Sequence, residues 1–208
     1  MAIDKKRLAT IAMVAMASAG WAQPSAAVDF TNAAFVQTSS GNASIPVGHL
    51  DFCRSRPEEC QPNANVQSAV SLTETNWQQL VSTNAYYNQT IVPVTDQELY
   101  KVDEFWTYPT SGYGDCEDFV LAKRHALIQL GWSPSTLLIS VVRQRDGSGH
   151  AVLLVRTDRG DLVLDNQDGA IKVWNETPYQ FIKRQSQAHS GQWVDMLDSR
   201  TIVVAANR

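Results

Sequence analysis

The strongest constraint on the fold is the order of two sequence patterns in the second half of the chain. Residues 115–130 repeat apolar side chains with helical spacing, and Gly131 and Pro134, which commonly end helices, follow closely. Three apolar runs rich in β-branched residues come next, separated by the turn sequences DGSG and TDRG. The runs are residues 136–143, 150–156 and 161–164. A helix followed by a meander of strands predicts an α+β domain in which the helix packs on an antiparallel sheet.

The remaining segments have weaker patterns. Residues 73–88 begin with Thr and Glu and space their apolar side chains as an amphipathic helix does. We expect one further helix over residues 176–187 and a terminal strand over 201–205. Residues 28–45 lack periodicity and predict a loosely docked entry segment, whereas residues 91–109 predict a loop that crosses the domain.

Composition limits the class of partner. With 208 residues, of which 44% are hydrophobic and 18% charged, the chain can bury the core of one globular domain. Its net charge of −4 and its lack of Lys/Arg-rich runs argue against nucleic acid or an anionic membrane surface as the partner.

The N-terminal residues have the layout of a secretory signal peptide. Basic residues at positions 5–7 precede an apolar stretch over 8–20, and small residues follow. Cleavage is expected after Ala22, with Ala19 as the alternative, which assigns residues 1–22 to the signal peptide. The apolar stretch is short for a stable span, and an uncleaved anchor is the competing interpretation. We therefore expect a periplasmic or secreted mature chain without membrane insertion.

Export changes how the three cysteines are interpreted. Cys53 and Cys60 lie in a short Pro-containing loop, and disulfides form and persist outside the cytoplasm. A disulfide between them would contribute about 2.5 kcal/mol to stability. Cys116 then remains unpaired, which predicts either a reactive thiol or an inert buried cysteine.

The sequence SGYGDCEDF places Cys116 at the start of the predicted helix. A helix N-terminus lowers the pKa of a thiol, and Asp115 is a natural N-cap residue. Asp115, Glu117 and Asp118 oppose this effect, because neighbouring negative charges favour the protonated thiol. A divalent cation bound by carboxylates would remove that repulsion. The competing interpretation is that an acidic first turn merely complements the helix dipole.

A general base for Cys116 is expected at His150, which follows GSG at the start of a predicted core strand. Asp165 ends the next strand, where an acid can orient the imidazole, and Asn166 could assist. The hairpin register leaves a second candidate open, because it sets Asp168 more nearly opposite the histidine unless a bulge intervenes.

Helical spacing also predicts which face of the helix is buried. Lys123 interrupts that face, and we expect its side chain to extend to solvent along the apolar surface. The predicted buried face consists of Cys116, Phe119, Val120, Leu127 and Leu130.

Three spaced motifs resemble a known family: GDCEDF at residues 114–119, HAVL at 150–153 and LDN at 164–166. They resemble the bacterial transglutaminase-like cysteine peptidases, which include the LapG-type periplasmic cysteine proteases. Asn84 with Asn88, the Pro93 to Asp96 turn and the FWTYP segment extend the resemblance over residues 73–179.

The resemblance implies a papain/transglutaminase-like fold with a Cys116, His150 and Asp165 triad. It also implies calcium dependence, with Ca²⁺ held by Asp115 and Glu117. The short disulfide that precedes the catalytic core is similar to one version of the family. As partners, the resemblance implies a protein substrate such as a surface adhesin, and a regulatory membrane receptor.

Three functions compete at this point. The first is an exported cysteine endopeptidase, the second a transglutaminase or deamidase that acts on protein glutamine, and the third a catalytically silent binding module. The predicted organisation is a signal peptide at 1–22, an N-terminal segment with the disulfide loop at 23–72, and the peptidase domain at 73–208.

Overall fold

A seven-stranded sheet in which every pair of neighbours is antiparallel forms the centre of the fold. The computed structural model describes residues 30–31 and 33–200. The predicted signal peptide (1–22) and terminal strand (201–205) lie outside these residues. Within the described chain the strands are β1 Thr38–Ala43, β2 Val92–Pro93, β3 Tyr113–Gly114, β4 Leu137–Arg143, β5 Gly149–Thr157, β6 Gly160–Leu164, β7 Lys172–Val173, β8 Gln180–Gln185 and β9 Trp193–Met196. The central sheet has the order β1-β9-β8-β4-β5-β6-β7, while β2 and β3 form a separate parallel pair.

The helices are α1 Val47–Ser55, α2 Glu74–Thr90, α3 Asp96–Leu99 and α4 Cys116–Gln129. Residues of α1, α2 and α4 join the apolar layer on one face of the central sheet. Helix α4 packs on β5 and β4, and α2 packs against α4. This confirms the predicted α+β architecture, with the cysteine-bearing helix lying on an antiparallel sheet.

Alternation along the strands divides the apolar core into two layers. Leu153 and Val155 point toward α4, where they join Val120 and Leu127 of the helix. The intervening residues of β5 face the opposite side of the sheet and form a second layer with β4, β6 and β8. Because both faces are covered, β5 is a nearly continuous apolar run.

The three predicted strands are confirmed as β4, β5 and β6, with bounds that differ by one residue at most at each end. The predicted helix over 176–187 is wrong, because this segment contains strand β8. Phe181 is 1% exposed and pairs with Val142, and the far edge of β8 pairs with β9. Pairing with two neighbouring strands overrides the local sequence preference.

Helix α4 is confirmed within one residue of its predicted bounds, but its buried face differs from the prediction. Leu130, placed on the buried face by spacing, is 52% exposed because it lies at the end of the helix beside Gly131. Gly131 has a φ of +92°, the left-handed conformation that ends many helices. Lys123 is 0% exposed, so the prediction that it reaches solvent is wrong.

The N-terminal segment is joined to the sheet more closely than its sequence predicts. Strand β1, within the segment predicted to be loosely docked, pairs antiparallel with β9. The predicted crossing loop at 91–109 contains β2 and the short helix α3. The predicted disulfide is present, and it links Cys53 of α1 to Cys60 across a Cα–Cα distance of 5.6 Å. A search of the described residues found no helix with the length and hydropathy needed to cross a bilayer.

Candidate active site

Cys116 is the free cysteine of the described chain, and it begins helix α4. Its Sγ lies 3.1 Å from the Glu117 carboxylate, to which the thiol donates, and it also meets the backbone N–H of Ala151. Burial raises the pKa of this thiol well above its ordinary value, and the charge and hydrogen bond of Glu117 raise it further. The Ala151 N–H acts in the opposite direction. With these groups alone around it, the sulfur is held as a thiol.

His150 and Asp165 form a buried hydrogen-bonded pair. His150 Nε2 lies 2.8 Å from Asp165 Oδ1, and the two residues are 4% and 3% exposed. The other carboxylate oxygen accepts a hydrogen bond from the Tyr179 hydroxyl, and the Gln167 N–H donates to Oδ1 at 3.0 Å. The carboxylate is therefore fixed from three directions.

These contacts also set the charge of Asp165. Burial alone raises the pKa of Asp165, but the hydrogen bond and charge of His150, with the Tyr179 hydroxyl, bring it below its ordinary value. An ionised Asp165 can orient the imidazole and stabilise its protonated form.

The point at which β6 ends determines which of the two aspartates lies beside His150. In the β5–β6 ladder Leu153 lies opposite Leu164, which would bring Gln167 opposite His150 if the strand continued. The strand stops at Leu164, and the turn that follows directs Asp165 toward the imidazole. Asp168 instead pairs with Lys172 at 2.5 Å.

The sequence predicts that the side-chain amide of Asn166 assists His150, but the structure places a different amide beside the imidazole. Asn166 Oδ1 is buried and has no hydrogen-bond partner within the described chain. Gln167 Nε2 lies 3.4 Å from His150 Nδ1, on the ring nitrogen that does not face Asp165. The carboxamide near the imidazole is therefore Gln167, which the sequence motifs do not single out.

Cys116 and His150 lie together on the wall between two cavities. One, of about 320 Å³, is also lined by Thr95, Gln144 and other polar residues. The second, of about 350 Å³, is more apolar and includes Val47 and Trp106. Both cavities include the cysteine and the histidine, so each offers space for a substrate beside the sulfur.

Three carboxylates gather beside the sulfur. Ligand oxygens of Asp96, Asp115 and Glu117 all lie within 4.8 Å of one another. The sequence predicts Asp115 and Glu117 as metal ligands, but it does not assign Asp96 that role. We call these three residues the acidic cluster.

The parallel pair of β2 and β3 brings the two halves of the acidic cluster together. The Val92 N–H donates to Gly112 O at 2.9 Å and the Val94 N–H donates to Gly114 O at 3.0 Å. Asp96 follows the first strand and Asp115 follows the second, and the Asp96 N–H donates to Asp115 Oδ2 at 3.2 Å. Close contact of residues 19 positions apart thus depends on two backbone hydrogen bonds.

Burial disfavours ionisation of Glu117 and Asp96. Burial raises the pKa of Glu117 to about 9, and the charge of Asp115 acts in the same direction. The pKa of Asp96 is raised, mainly by burial, although the Phe105 N–H stabilises its charge. Oδ1 of Asp96 and Oδ1 of Asp115 are buried and have no hydrogen-bond partner within the described chain. Such a set of oxygens suits a hard divalent cation, which prefers carboxylate ligands.

Asp115 occupies the N-cap position of α4, but its side chain makes no capping hydrogen bond because it points into the acidic cluster. Asp118 faces the helix N-terminus, where its carboxylate meets the backbone N–H of Asp115. Its Oδ1 also accepts from the Thr107 N–H at 2.9 Å, which ties the preceding loop to the helix.

Comparisons with known proteins identify the family and the fold. The family described as bacterial transglutaminase-like cysteine proteinase BTLCP matches residues 39–201. The chain belongs to this family. The predicted resemblance is therefore confirmed, and so is the assignment of the protein as a cysteine peptidase. None of the curated proteins matches the chain.

Two solved structures of LapG from Legionella pneumophila are similar to this family member. The calcium-bound form has 22% sequence identity and a TM-score of 0.51, and the match covers 62% of this chain and 75% of that one. The EGTA-treated form has 25% identity and a TM-score of 0.49, with 59% and 72% covered. The likeness to the calcium-bound form shows a shared fold.

Proposed function

We propose that this protein is an exported, calcium-dependent cysteine endopeptidase that cleaves a protein substrate. In this proposal Cys116 is the nucleophile, His150 the general base and Asp165 the acid that orients the imidazole. The observation that carries it is the meeting of the free cysteine and the Asp165-bound histidine on the wall shared by two cavities.

Acylation begins with transfer of the Cys116 proton to His150. Because Nε2 faces Asp165, Nδ1 is the nitrogen available to accept this proton. The thiolate then attacks the carbonyl carbon of the scissile peptide bond, and the oxygen of the tetrahedral adduct gains negative charge. The backbone N–H of Cys116, in the first turn of α4, has no acceptor within its helix and can donate to that oxygen.

Collapse of the adduct breaks the C–N bond, and His150 returns its proton to the leaving amine. A water molecule deprotonated by His150 then attacks the acyl thioester, which releases the carboxylic acid and restores the thiol. Two cavities border Cys116, and this space supports cleavage within a chain rather than at its end.

The acidic cluster supports the calcium part of the proposal, with Asp115 and Glu117 as ligands and Asp96 as a third. A bound divalent cation supplies positive charge that offsets the repulsion among these carboxylates. The contact between Glu117 and the thiol is the reason this charge matters, since a carboxylate that accepts the thiol proton opposes its transfer to His150.

The proposal is tested by incubating the mature protein with exported proteins of its own cell. We expect new peptide fragments with calcium, none with a chelator and none from the Cys116→Ala variant. Identical fragment patterns from the wild type and Cys116→Ala would exclude proteolysis by this thiol. Unchanged cleavage after complete calcium removal would exclude calcium dependence alone.

The same incubation distinguishes the other functions. A transglutaminase would incorporate a labelled primary amine into protein glutamine without generating fragments. A silent binding module would give neither product, and its Cys116 would react with iodoacetamide at the rate of an ordinary thiol.

A further inference from the structure

The side-chain amide of Gln167 contacts the ring nitrogen that the proposed mechanism uses. Gln167 Nε2 lies 3.4 Å from His150 Nδ1, while the other nitrogen of the imidazole lies 2.8 Å from Asp165 Oδ1. Nδ1 is the atom that accepts the Cys116 proton in that mechanism. A group in contact with this nitrogen therefore acts on the reaction directly.

The carboxylate of Asp165 determines the direction of the Gln167 bond. An ionised carboxylate only accepts hydrogen bonds, so the ring nitrogen that faces it carries a proton and donates. In the neutral ring Nδ1 is then a lone-pair acceptor, and the NH₂ end of the Gln167 amide must face it. The contact favours the neutral form of His150, because a protonated Nδ1 has no lone pair with which to accept the amide N–H.

The thiol of Cys116 needs the same lone pair. Nδ1 has one lone pair in the plane of the ring, so it accepts a proton from the thiol only after the amide has left it. In the structure the thiol donates to the Glu117 carboxylate at 3.1 Å. Both partners of the proton transfer are thus hydrogen-bonded to other side chains, Cys116 to Glu117 and His150 to Gln167.

The Gln167 side chain is suited to exchange partners. Its separation of 3.4 Å from Nδ1 exceeds the usual range of about 2.7–3.2 Å, so the bond is weak. Gln167 is exposed, and its side chain makes no other hydrogen bond within the described chain. Its backbone is fixed, since the N–H donates to Asp165 Oδ1 at 3.0 Å. The side chain can therefore rotate without moving the loop that holds Asp165.

The more polar of the two cavities beside the thiol offers the amide a second partner. Gln167 lines this cavity together with Cys116 and His150, and it also lines a third cavity of about 320 Å³ that includes Asp165. Gln144 lines the same polar and third cavities. A carboxamide has donors and an acceptor, which match the C=O and N–H groups of a peptide backbone. A peptide that enters the polar cavity therefore meets groups that can pair with its main chain.

We propose that Gln167 is a further catalytic residue, which occupies His150 Nδ1 until the backbone of a peptide substrate takes up its amide. Substrate entry then frees Nδ1 for the Cys116 proton, so that proton transfer follows the binding of a peptide. This inference rests on the proposed function, because it assigns Gln167 a step in the peptidase reaction.

The test compares Gln167→Ala with Gln144→Ala, which removes a carboxamide from the same two cavities. We expect alkylation of Cys116 by iodoacetamide, measured with calcium present, to be about twofold to tenfold faster in Gln167→Ala, because a hydrogen bond of ordinary strength no longer occupies Nδ1. Gln144→Ala should react at the wild-type rate. If Gln167 merely held the ring in place, its loss would slow the reaction, so unchanged or slower alkylation in Gln167→Ala would overturn the inference.

Peptide cleavage tests the transfer of the amide to the substrate. The probe is a peptide that spans the bond cleaved in the incubation described above. In Gln167→Ala this peptide loses its partner amide, whereas iodoacetamide loses only a competitor. The ratio of kcat/KM to the alkylation rate should therefore fall by about twofold to tenfold. An equal rise in both rates would contradict binding of the substrate by Gln167.

Nitrogen NMR of the imidazole reports on the bond itself. In wild type without substrate, the signals of His150, assigned by their loss in His150→Gln, should show a protonated Nε2 and an unprotonated, hydrogen-bonded Nδ1. Gln167→Ala should move the Nδ1 signal toward that of a nitrogen without a hydrogen bond, and Gln144→Ala should leave it in place. Gln167→Glu, whose carboxylate cannot donate, should place a proton on Nδ1. A protonated Nδ1 in wild type, or an unmoved signal in Gln167→Ala, would refute the assignment.

Failure of the proposed function looks different from failure of this inference. In that case the wild type yields no fragments, or the same fragments as Cys116→Ala. The nitrogen spectrum needs no substrate, so it then decides by itself whether Gln167 occupies His150 Nδ1.

Discussion

Two groups of buried polar side chains flank helix α4, and they differ in how their hydrogen bonds are satisfied. One is the acidic cluster, with unpaired oxygens on Asp96 and Asp115. The other we call the paired cluster, and it contains His49, Arg124, Gln185, Ser190 and Trp193. None of these five side chains has a buried polar atom without a partner in the described chain.

The paired cluster shows how buried polarity is normally accommodated. Arg124 donates from Nε to Leu137 O and from its guanidinium to Ser190 Oγ, both at 3.0 Å. Trp193 Nε1 donates to His49 Nδ1 at 3.1 Å, and Gln185 Nε2 donates to Ser190 O at 2.7 Å. These bonds join α1, α4, β8 and the turn before β9, so this cluster stabilises the fold.

The difference teaches where to look for function. A satisfied polar network gives rigidity, whereas buried oxygens without partners are retained where a ligand or a reaction supplies what is missing. We therefore expect changes in the acidic cluster and at the sulfur to affect activity, and changes in the paired cluster to affect stability.

The largest expected effect is a loss of activity without a loss of stability when Cys116 is replaced. Cys116→Ala should lower peptidase activity by at least about a thousandfold, because the nucleophile is removed, with little change in melting temperature. Ser190→Ala, in the paired cluster, should lose about 1 kcal/mol of stability and keep its activity. Assays of fragment release and thermal melts check both variants, and substantial activity in Cys116→Ala would contradict the assignment.

The next prediction tests the paired cluster by pH. Burial, followed by the charge of Arg124, lowers the pKa of His49 to about 4 from 6.5. As pH falls from 6.5 to 4 the unfolded chain binds a proton that the folded chain does not, so the free energy of unfolding decreases. The loss should be on the order of 3 kcal/mol, and His49→Gln should lack it. Urea unfolding at several pH values measures it, and equal pH slopes in both proteins would refute the prediction.

Calcium should stabilise the protein by binding to the acidic cluster, which gives a second test of the difference between the two clusters. At a hundredfold excess over its dissociation constant, calcium should stabilise the wild type by about 2.7 kcal/mol. Asp96→Asn should reduce this stabilisation, since a neutral amide replaces one carboxylate of the acidic cluster. Asp195→Asn, on β9, serves as the matched control and should keep the full response. Thermal melts with calcium and with chelator measure the shift, and an unaltered response in Asp96→Asn would remove that residue from the ligand set.

The smallest effect concerns the disulfide near the paired cluster. Replacing Cys53 and Cys60 together by alanine should cost about 2.5 kcal/mol, because a short loop is no longer closed in the unfolded chain. Activity below the melting temperature should be unchanged, since neither cysteine lines the cavities beside Cys116. A large loss of activity without a loss of stability would link this region to catalysis.

The predictions from sequence were correct where residues close together in the chain determine the structure. Helix α4 and strands β4 to β6 follow from periodicity and turn residues. The proximity of His150 and Asp165 follows from one hairpin, although register alone left Asp168 open. The decisive detail, the turn after Leu164, is a departure from the ladder that periodicity does not encode.

Contacts between distant segments account for the misses. Strand β8 forms because β4 and β9 pair with it on both sides, whereas its local sequence predicted a helix. Asp96 joins the acidic cluster through backbone pairing of two-residue strands, too short for a strand pattern to reveal. Lys123 was expected to reach solvent because lysines seldom bury, but the elements packed around α4 leave it 0% exposed.

The two-residue pair of β2 and β3 has a consequence for how this enzyme can diversify. The pairing holds the residues just before Asp96 next to the residues just before Asp115. The two carboxylates therefore keep their spacing whatever the sequence between them. Residues 100–105 in that interval carry exposed Tyr100, Val102 and Phe105. Insertions or new side chains there could reshape the second cavity beside Cys116, which Glu104 lines, while the carboxylates of the acidic cluster keep their positions.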